Sequence, residues 1–298
     1  MADARASGEA RSPLQVIVPA YGKSPLLTET LASLVDVLPP DVPLAVLDDA
    51  TPGDDIRRQA APFAPRLEYW RNERNLGVSG AFNAAMCRSD AEYVVLVGPD
   101  DRAVPGFAST YLAAIERYRG AAALHPGVTT IDEHGQPWVS TGDKVKRLLR
   151  PRAGLLRGQA LAARLLVGNW TYNPAIAWRV SFVRSHPFNE DLHTAMDLEL
   201  LLRLALAGEQ LALVDGPALE YRRHAGAVSS INAGRKRLTE ELEIHGWAAR
   251  EAASRRWRRT VLAARLAPTA RLHGLLLASG RSGEERRDIV RLALTGRG

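Results

Sequence analysis

The sequence predicts an α/β fold with a doubly wound, mostly parallel sheet, and three observations point to it. Short apolar runs recur through the first third of the chain, each the length of a buried strand. Three of them stop abruptly at chemistry-bearing residues: Pro19-Ala20-Tyr21, Asp48-Asp49 and Gly98-Pro99-Asp100-Asp101. Helical patterns lie between them on short connections, the alternation that a parallel sheet with crossovers requires.

The first strand is predicted over residues 15–18. A helix follows from residue 24 or 25 to 37, with Leu27, Leu31, Leu34 and Val35 on one face, and Pro39-Pro40 ends it. Residues 42–47 form the second strand, Thr51-Pro52 opens a short helix, and 67–70 form the third strand. The run Asn75-Leu76-Gly77-Val78-Ser79 leads into a helix through Phe82, Ala85 and Met86, and the fourth strand covers 93–97. Beyond Val104-Pro105 come a helix bearing Tyr111, Leu112, Ile115 and Tyr118, a strand over 122–131, and a hairpin turn at 133–135. Residues 143–165 hold seven basic residues and a single acid, Asp143, and read as a mobile basic loop leading into a helix. A strand is predicted over 172–178, a buried helix over 197–206, and strands over 210–214 and 219–221. Past residue 232 the chain reads as arginine-rich amphipathic helices.

Composition narrows the function. The chain has 46% hydrophobic residues, enough for a sizeable core, and no run approaches the length of a membrane span. Residues 1–12 carry acids and no hydrophobic segment, so they read as a disordered tail rather than a targeting signal. Cys87 is the only cysteine, which rules out a disulfide framework and suits a reducing, cytoplasmic setting. Charge is unevenly placed: residues 1–142 hold 12 basic and 18 acidic residues, net −6, while 143–232 are net +4 and 233–298 net +8. This asymmetry argues against a nucleic-acid-binding module. It fits a front that holds a cation and a back that meets an anionic acceptor or surface.

Asp100 and Asp101 sit at a strand end, where open α/β sheets place their ligands. Adjacent acids repel, so positive charge must offset them: either a divalent cation with a phosphate beyond it, or nothing more than a turn capping the next helix. The first βα turn has no G-x-G-x-x-G, and the chain has no G-x-x-x-x-G-K-[ST], so neither a dinucleotide fold nor a P-loop is expected.

Taken in order, Val16-Ile-Val-Pro-Ala-Tyr21, Val46-Leu-Asp-Asp-Ala-Thr-Pro52, Arg74-Asn-Leu-Gly-Val-Ser-Gly-Ala-Phe-Asn83 and Glu92 to Asp101 resemble the family 2 glycosyltransferases of the GT-A fold. Ala195-Met-Asp-Leu-Glu-Leu-Leu-Leu-Arg203 and Tyr221-Arg-Arg-His224, followed by Ser229-Ser230, resemble that family's acceptor-side helix and closing segment. The resemblance spans residues 13–232 and implies a nucleotide-sugar half (13–103), an acceptor half (104–232) and a basic helical extension (233–298). It implies that Pro19, Ala20, Tyr21 and Asp48 line the base and ribose pocket, with Asp48 accepting from a pyrimidine imide. Gly77 would allow close approach of the nucleotide and Asn83 would stiffen the following helix. Asp100 would ligate Mn²⁺ or Mg²⁺, supported by Asp101 and a late His224, and Asp197 would be the general base. The donor implied is a UDP-sugar. The acceptor is a hydroxyl on a polysaccharide, lipid-linked glycan or natural product. Two positions depart from the family pattern: Gly98 stands where the first acid of D-x-D belongs, and Met196 precedes Asp197 in place of Glu.

Each assignment has a rival. Asp197 either caps its helix or serves as base; Leu200, Leu201 and Leu204 place it on the inward face, which favours the base. His224 is a solvated histidine or a metal ligand, and Asp49 reads as a cap for the helix after Thr51. Of Trp170 and Trp178, one belongs to the core and one is a platform for a sugar ring, Trp170 being the better candidate. Around Arg255–Arg259 the stripe Trp257, Val261 and Ala264 either docks on the protein or lies on an anionic membrane. For the whole chain, the competing functions are a non-catalytic nucleotide-sugar-binding subunit and a sugar-nucleotide pyrophosphorylase.

Overall fold

The structure, a computed structural model, describes residues 12–224, 234–279 and 281–296. The predicted N-terminal tail and Ser229-Ser230 fall outside the described residues, apart from Ser12.

Four strands form the parallel half of the sheet: β1 (Leu14–Ala20), β2 (Leu44–Asp48), β3 (Glu68–Arg71) and β4 (Tyr93–Leu96), in the order β3-β2-β1-β4. The apolar runs of β1, β2 and β4 are continuous because both faces are covered, while β3, at the sheet edge, is only partly buried. Ile17, Leu47 and Leu96 point to one core; Val16, Val18, Val46 and Val95 point to the other. Helix α1 (Leu27–Val37) buries Leu27, Leu31 and Leu34 on the second face. Helix α3 (Gly77–Arg88) buries Ala81, Ala85 and Met86 on the first. The short α2 (Asp55–Ala60) completes this half. Register aligns Ala20 with Asp48 and Asp48 with Arg71, so the strand ends make one ledge.

The second half of the sheet is mixed. After β5 (Arg102–Ala103) and α4 (Phe107–Arg117) comes β6 (Ala123–Ile131). Then follow α5 (Thr141–Leu149), β7 (Gly154–Arg157), α6 (Gly158–Val167), β8 (Ala177–Arg179), α7 (Val180–Ser185), α8 (Met196–Leu206) and β9 (Gln210–Arg222). Strand β8 runs antiparallel between β4 and β6, and β9 pairs parallel with β6 and antiparallel with β5 and β7.

Three local expectations change. The two strands over 210–221 are one, β9, with its register shifted around Gly127. The strand expected over 172–178 shrinks to β8 because Pro174 lacks an N–H and sits in a 3-10 turn, Asn173–Ala175. Residues 141–149 are helical, with Ser140 and Asp143 forming a capping box. Asp143 is buried and takes an ion pair from Arg223 (2.5 Å) and a hydrogen bond from the Tyr172 hydroxyl (2.8 Å). Burial alone would raise its carboxyl, but Arg223, Ser140 and Tyr172 hold it below the ordinary range. The basic segment is anchored at its one acid.

The last helices are α9 (Arg235–Ser254), α10 (Arg258–Leu266), α11 (Pro268–Ser279) and α12 (Gly283–Thr295). Ile244, Ala248, Ala263 and Ala264 join the first core, while Leu238, Leu242, Ile289 and Leu292 build a small core of their own. Trp257 packs partly buried against the first core and Ala264 is buried in it, so the stripe around Arg255–Arg259 docks on the protein.

Candidate active site

Two cavities open beyond the ledge. The larger, about 420 Å³, is lined by Pro19 and Ala20 from β1 and Tyr21 just after it, by Gly77, and by Gly98 to Asp101 and His224. The smaller, about 140 Å³, holds Asp197, Lys146, Asn169, Arg223, Arg237 and Glu241. Asn173, Pro174, Thr194, Met196 and Tyr221 border both, so the two adjoin.

Of the residues expected to hold a nucleotide, Pro19, Ala20, Tyr21, Gly77 and Asp100 line the larger cavity, and Asp48 does not. Asp48 is completely buried beneath the ledge. Its Oδ1 accepts from the Thr51 N–H (2.8 Å), and its Oδ2 accepts from the Tyr69 hydroxyl (2.5 Å) and from Arg71. The wall position belongs to Asp49, one residue on. A one-residue step along a strand end turns a side chain to the other face, and Ala50, at φ 59°, then turns the chain away. Asp49 accepts from the Leu76 N–H (3.0 Å) and Asn72 Nδ2 (2.7 Å), which ties it to the loop before α3. Asn83 makes a longer link than stiffening its own helix: its amide spans to both backbone groups of Phe188.

Gly98 explains the missing acid. A Cβ there would lie 2.6 Å from Asp101 Oδ2 and 2.9 Å from Asp100 Oδ1, so any side chain would displace both carboxylates. Arg222, itself buried, holds this turn. Its N–H donates to Asp101 Oδ1 (2.9 Å), its Nε to the Asp100 carbonyl (2.8 Å), and its guanidinium pairs with Glu29 (2.6 Å). Asp101 Oδ2 is buried with no hydrogen-bond partner among the described residues. Burial first, then the neighbouring Asp100, push the Asp101 carboxyl well above the usual range. Asp100 Oδ2 meets His224 Nε2 at 2.7 Å. Hard carboxylate oxygens with one imidazole suit Mn²⁺ or Mg²⁺, and the orphaned Asp101 oxygen gives that donor set a reason to be there. Among the described residues no three such groups close into a cage, so a cation here needs ligand or water oxygens as well.

In the smaller cavity, Asp197 is the second residue of α8. The N-cap is Ala195, with no side-chain cap, so Asp197 does not cap its helix. It is mostly buried and accepts from Asn169 Nδ2 (3.2 Å). Lys146, from the basic segment, lies over the Tyr172 ring (4.2 Å) and donates to the Thr171 carbonyl. Burial lowers its pKa to about 8, against the pull of Asp197. Trp170 is not a sugar platform: it is buried in the first core, edge-on to His125. Burial, with Arg150 and Lys146 nearby, lowers His125 to about 3, so its neutral Nε2 accepts the Tyr172 N–H (2.9 Å) and fixes one wall of the smaller cavity.

Sequence reasoning missed Glu240. Reaching over from α9, it accepts the backbone N–H groups of His193 (3.2 Å), Thr194 (2.9 Å) and Ala195 (3.3 Å) and the Thr194 hydroxyl (2.7 Å). It thereby serves the N-terminus of α8, whose own cap is an alanine. Burial raises its carboxyl, but these hydrogen bonds outweigh it and the pKa lies below its ordinary 4.5. The stabilisation is therefore present above pH 4.5 and lost as pH falls through the lower folded value. Glu240→Gln is expected to cost about 1–3 kcal/mol at neutral pH. Urea unfolding of both proteins across the acid range checks it; the gap between them should close as the pH falls.

The chain belongs to glycosyl transferase family 2, whose family model matches residues 15–167. It is a glycosyltransferase. Asp197, His224 and the C-terminal helices lie beyond the matched stretch. No curated protein matches the sequence. Among similar solved structures, S. aureus TarS 1–349 in complex with UDP-GlcNAc is 18% identical, with a TM-score of 0.61 over 94% of this chain and 71% of that one. The mannosyltransferase PcManGT from Pyrobaculum calidifontis, in complex with GDP-Man and Mn²⁺, is 17% identical, with a TM-score of 0.60 over 97% and 80%. GalNAc-T7 with UDP, GalNAc and Mn²⁺ is 12% identical, with a TM-score of 0.56 over 82% and 51%. At such identities the likeness speaks for the GT-A fold alone.

Proposed function

We propose that the chain is an inverting, metal-dependent glycosyltransferase that takes a sugar from a UDP-linked donor and delivers it to a hydroxyl acceptor. The observation that carries this reading is the meeting of the two cavities, with Asp100 and His224 in one and Asp197 in the other. The donor half is residues 13–103 and the acceptor half 104–232. The extension, 233–298, supplies Arg237 and Glu241 to the acceptor cavity.

In the larger cavity, Tyr21 and Pro19 would flank the base, and Asp49 retains lone pairs for an imide N–H. Asp100 and His224, backed by Asp101, would hold Mn²⁺ or Mg²⁺, which supplies positive charge to a departing diphosphate. The Mn²⁺ reported with two similar structures supports that choice. Asp197 accepts the proton of the acceptor hydroxyl as its oxygen bonds to the anomeric carbon. On the opposite face the bond from that carbon to the diphosphate oxygen breaks, and the nucleoside diphosphate leaves with the electron pair. Arg222 keeps Asp100 in place, and Glu240 keeps the start of α8 in place.

A thermal-shift comparison of UDP, GDP and CDP, each with Mn²⁺, tests the donor assignment. At about a hundred times its dissociation constant UDP should add about 2.7 kcal/mol of stability, a shift of several degrees. CDP, which presents an acceptor to Asp49 where uracil presents a donor, should give less. A CDP or GDP shift equal to that of UDP contradicts it.

A further inference from the structure

Helices α10 and α11 are built inside out. Their inward faces are small: Ala263 and Ala264 on α10, and Ala270, Gly274 and Ala278 on α11. Five of their leucines point outward, while Leu277 packs against the small core. Leu262, Leu266, Leu272, Leu275 and Leu276 are 40–60% exposed. At 100° per residue, Leu262 and Leu266 share one arc of α10, flanked by Arg258 and Arg265 on one side and Arg259 on the other. Leu272, Leu275 and Leu276 share one arc of α11, opposite its small residues. Isolated exposed leucines need no explanation, but these are grouped, two on one arc of α10 and three on one arc of α11, and the fold leaves both arcs to water.

The charge around this face has one sign. Between Glu251 and Glu284 the chain has seven arginines and no acidic residue. Arg255 pairs with Glu251 and Arg281 with Glu285 at the two ends. Arg256, Arg258, Arg259 and Arg265 between them are exposed, and none has an ion-pair partner among the described residues. A second copy docking symmetrically on this face would set arginine against arginine. A nucleic acid would satisfy the arginines but offers no apolar phase to five leucines.

We infer that the outer face of α10 and α11 binds an anionic membrane surface, the leucines entering the headgroup boundary and the arginines meeting anionic lipid. No described helix is long and apolar enough to cross a membrane, so the contact is peripheral. It lies on a different face from the stripe of Trp257 and Ala264, which packs inward.

The test is co-sedimentation of the full chain with phosphatidylcholine vesicles, with and without phosphatidylglycerol. Binding should need phosphatidylglycerol and weaken as salt rises. Leu272→Ser with Leu275→Ser and Leu276→Ser, all on the solvent side, should leave the melting temperature in place and cut partitioning at least about tenfold. Arg258→Gln with Arg259→Gln and Arg265→Gln should abolish the preference for anionic lipid. The inference is overturned if the wild-type chain fails to sediment with anionic vesicles at low salt. It is equally overturned if the leucine variant binds like wild type, since general charge attraction would then explain everything.

Discussion

Asp197→Asn is expected to lower turnover by about 10²–10⁴-fold, or about 3 to 5 kcal/mol of transition-state stabilisation, while leaving the protein folded. The expectation rests on where the carboxylate is. It lies in the first turn of α8 but is not the cap, so stability does not hang on it. Asn keeps the size of Asp and can still accept from Asn169. What it removes is a carboxylate of the smaller cavity that has no ion-pair partner among the described residues. Lys146 and Arg237 both lie within that charge's field but keep hydrogen bonds of their own, to the Thr171 carbonyl and to Glu241, so the fold does not depend on it. Glu241 is no substitute, being bound to Arg237 at 2.8 Å.

Asp100→Ala should erase the dependence of nucleotide binding on metal. Substitutions one shell further out already cost about 10–100-fold in metal affinity, and a ligand should cost at least that. Calorimetry with Mn²⁺ should therefore show UDP affinity falling to the level that EDTA gives the wild-type chain, with binding in EDTA unchanged. His224→Ala should move the same way by less, because the carboxylate carries the charge. Equal UDP affinity in Mn²⁺ and EDTA for the wild-type chain would remove the cation from the account.

The parallel half was readable because β1, β2 and β4 are buried on both faces and end beside Pro, Gly or Asp, so hydropathy and breakers agree. The shift from Asp48 to Asp49 as the residue lining the cavity turns on a single residue at a strand end, which is where the face of a side chain is hardest to read. Helix α5 was hidden by its charges, yet Ser140 and Asp143 carried a capping signature in plain view. Trp170 follows Gly168-Asn169 and looked accessible, but it closes the core beneath the site. Glu240 left no local signal. Its partners lie about 45 residues away in sequence, and only the docking of α9 on α8 brings it to them. The exposed leucines were likewise invisible, because an amphipathic stripe shows which residues share a face but not which face is buried.

The most direct measurement is nucleoside diphosphate release from UDP-sugars by wild-type chain and Asp197→Asn, beside UDP affinity and melting temperature for both. The predicted result is release by the wild-type chain, a loss of at least about a hundredfold in the variant, and unchanged affinity and melting temperature. Near-wild-type release by the variant, with the same affinity, would contradict the account by placing the base elsewhere.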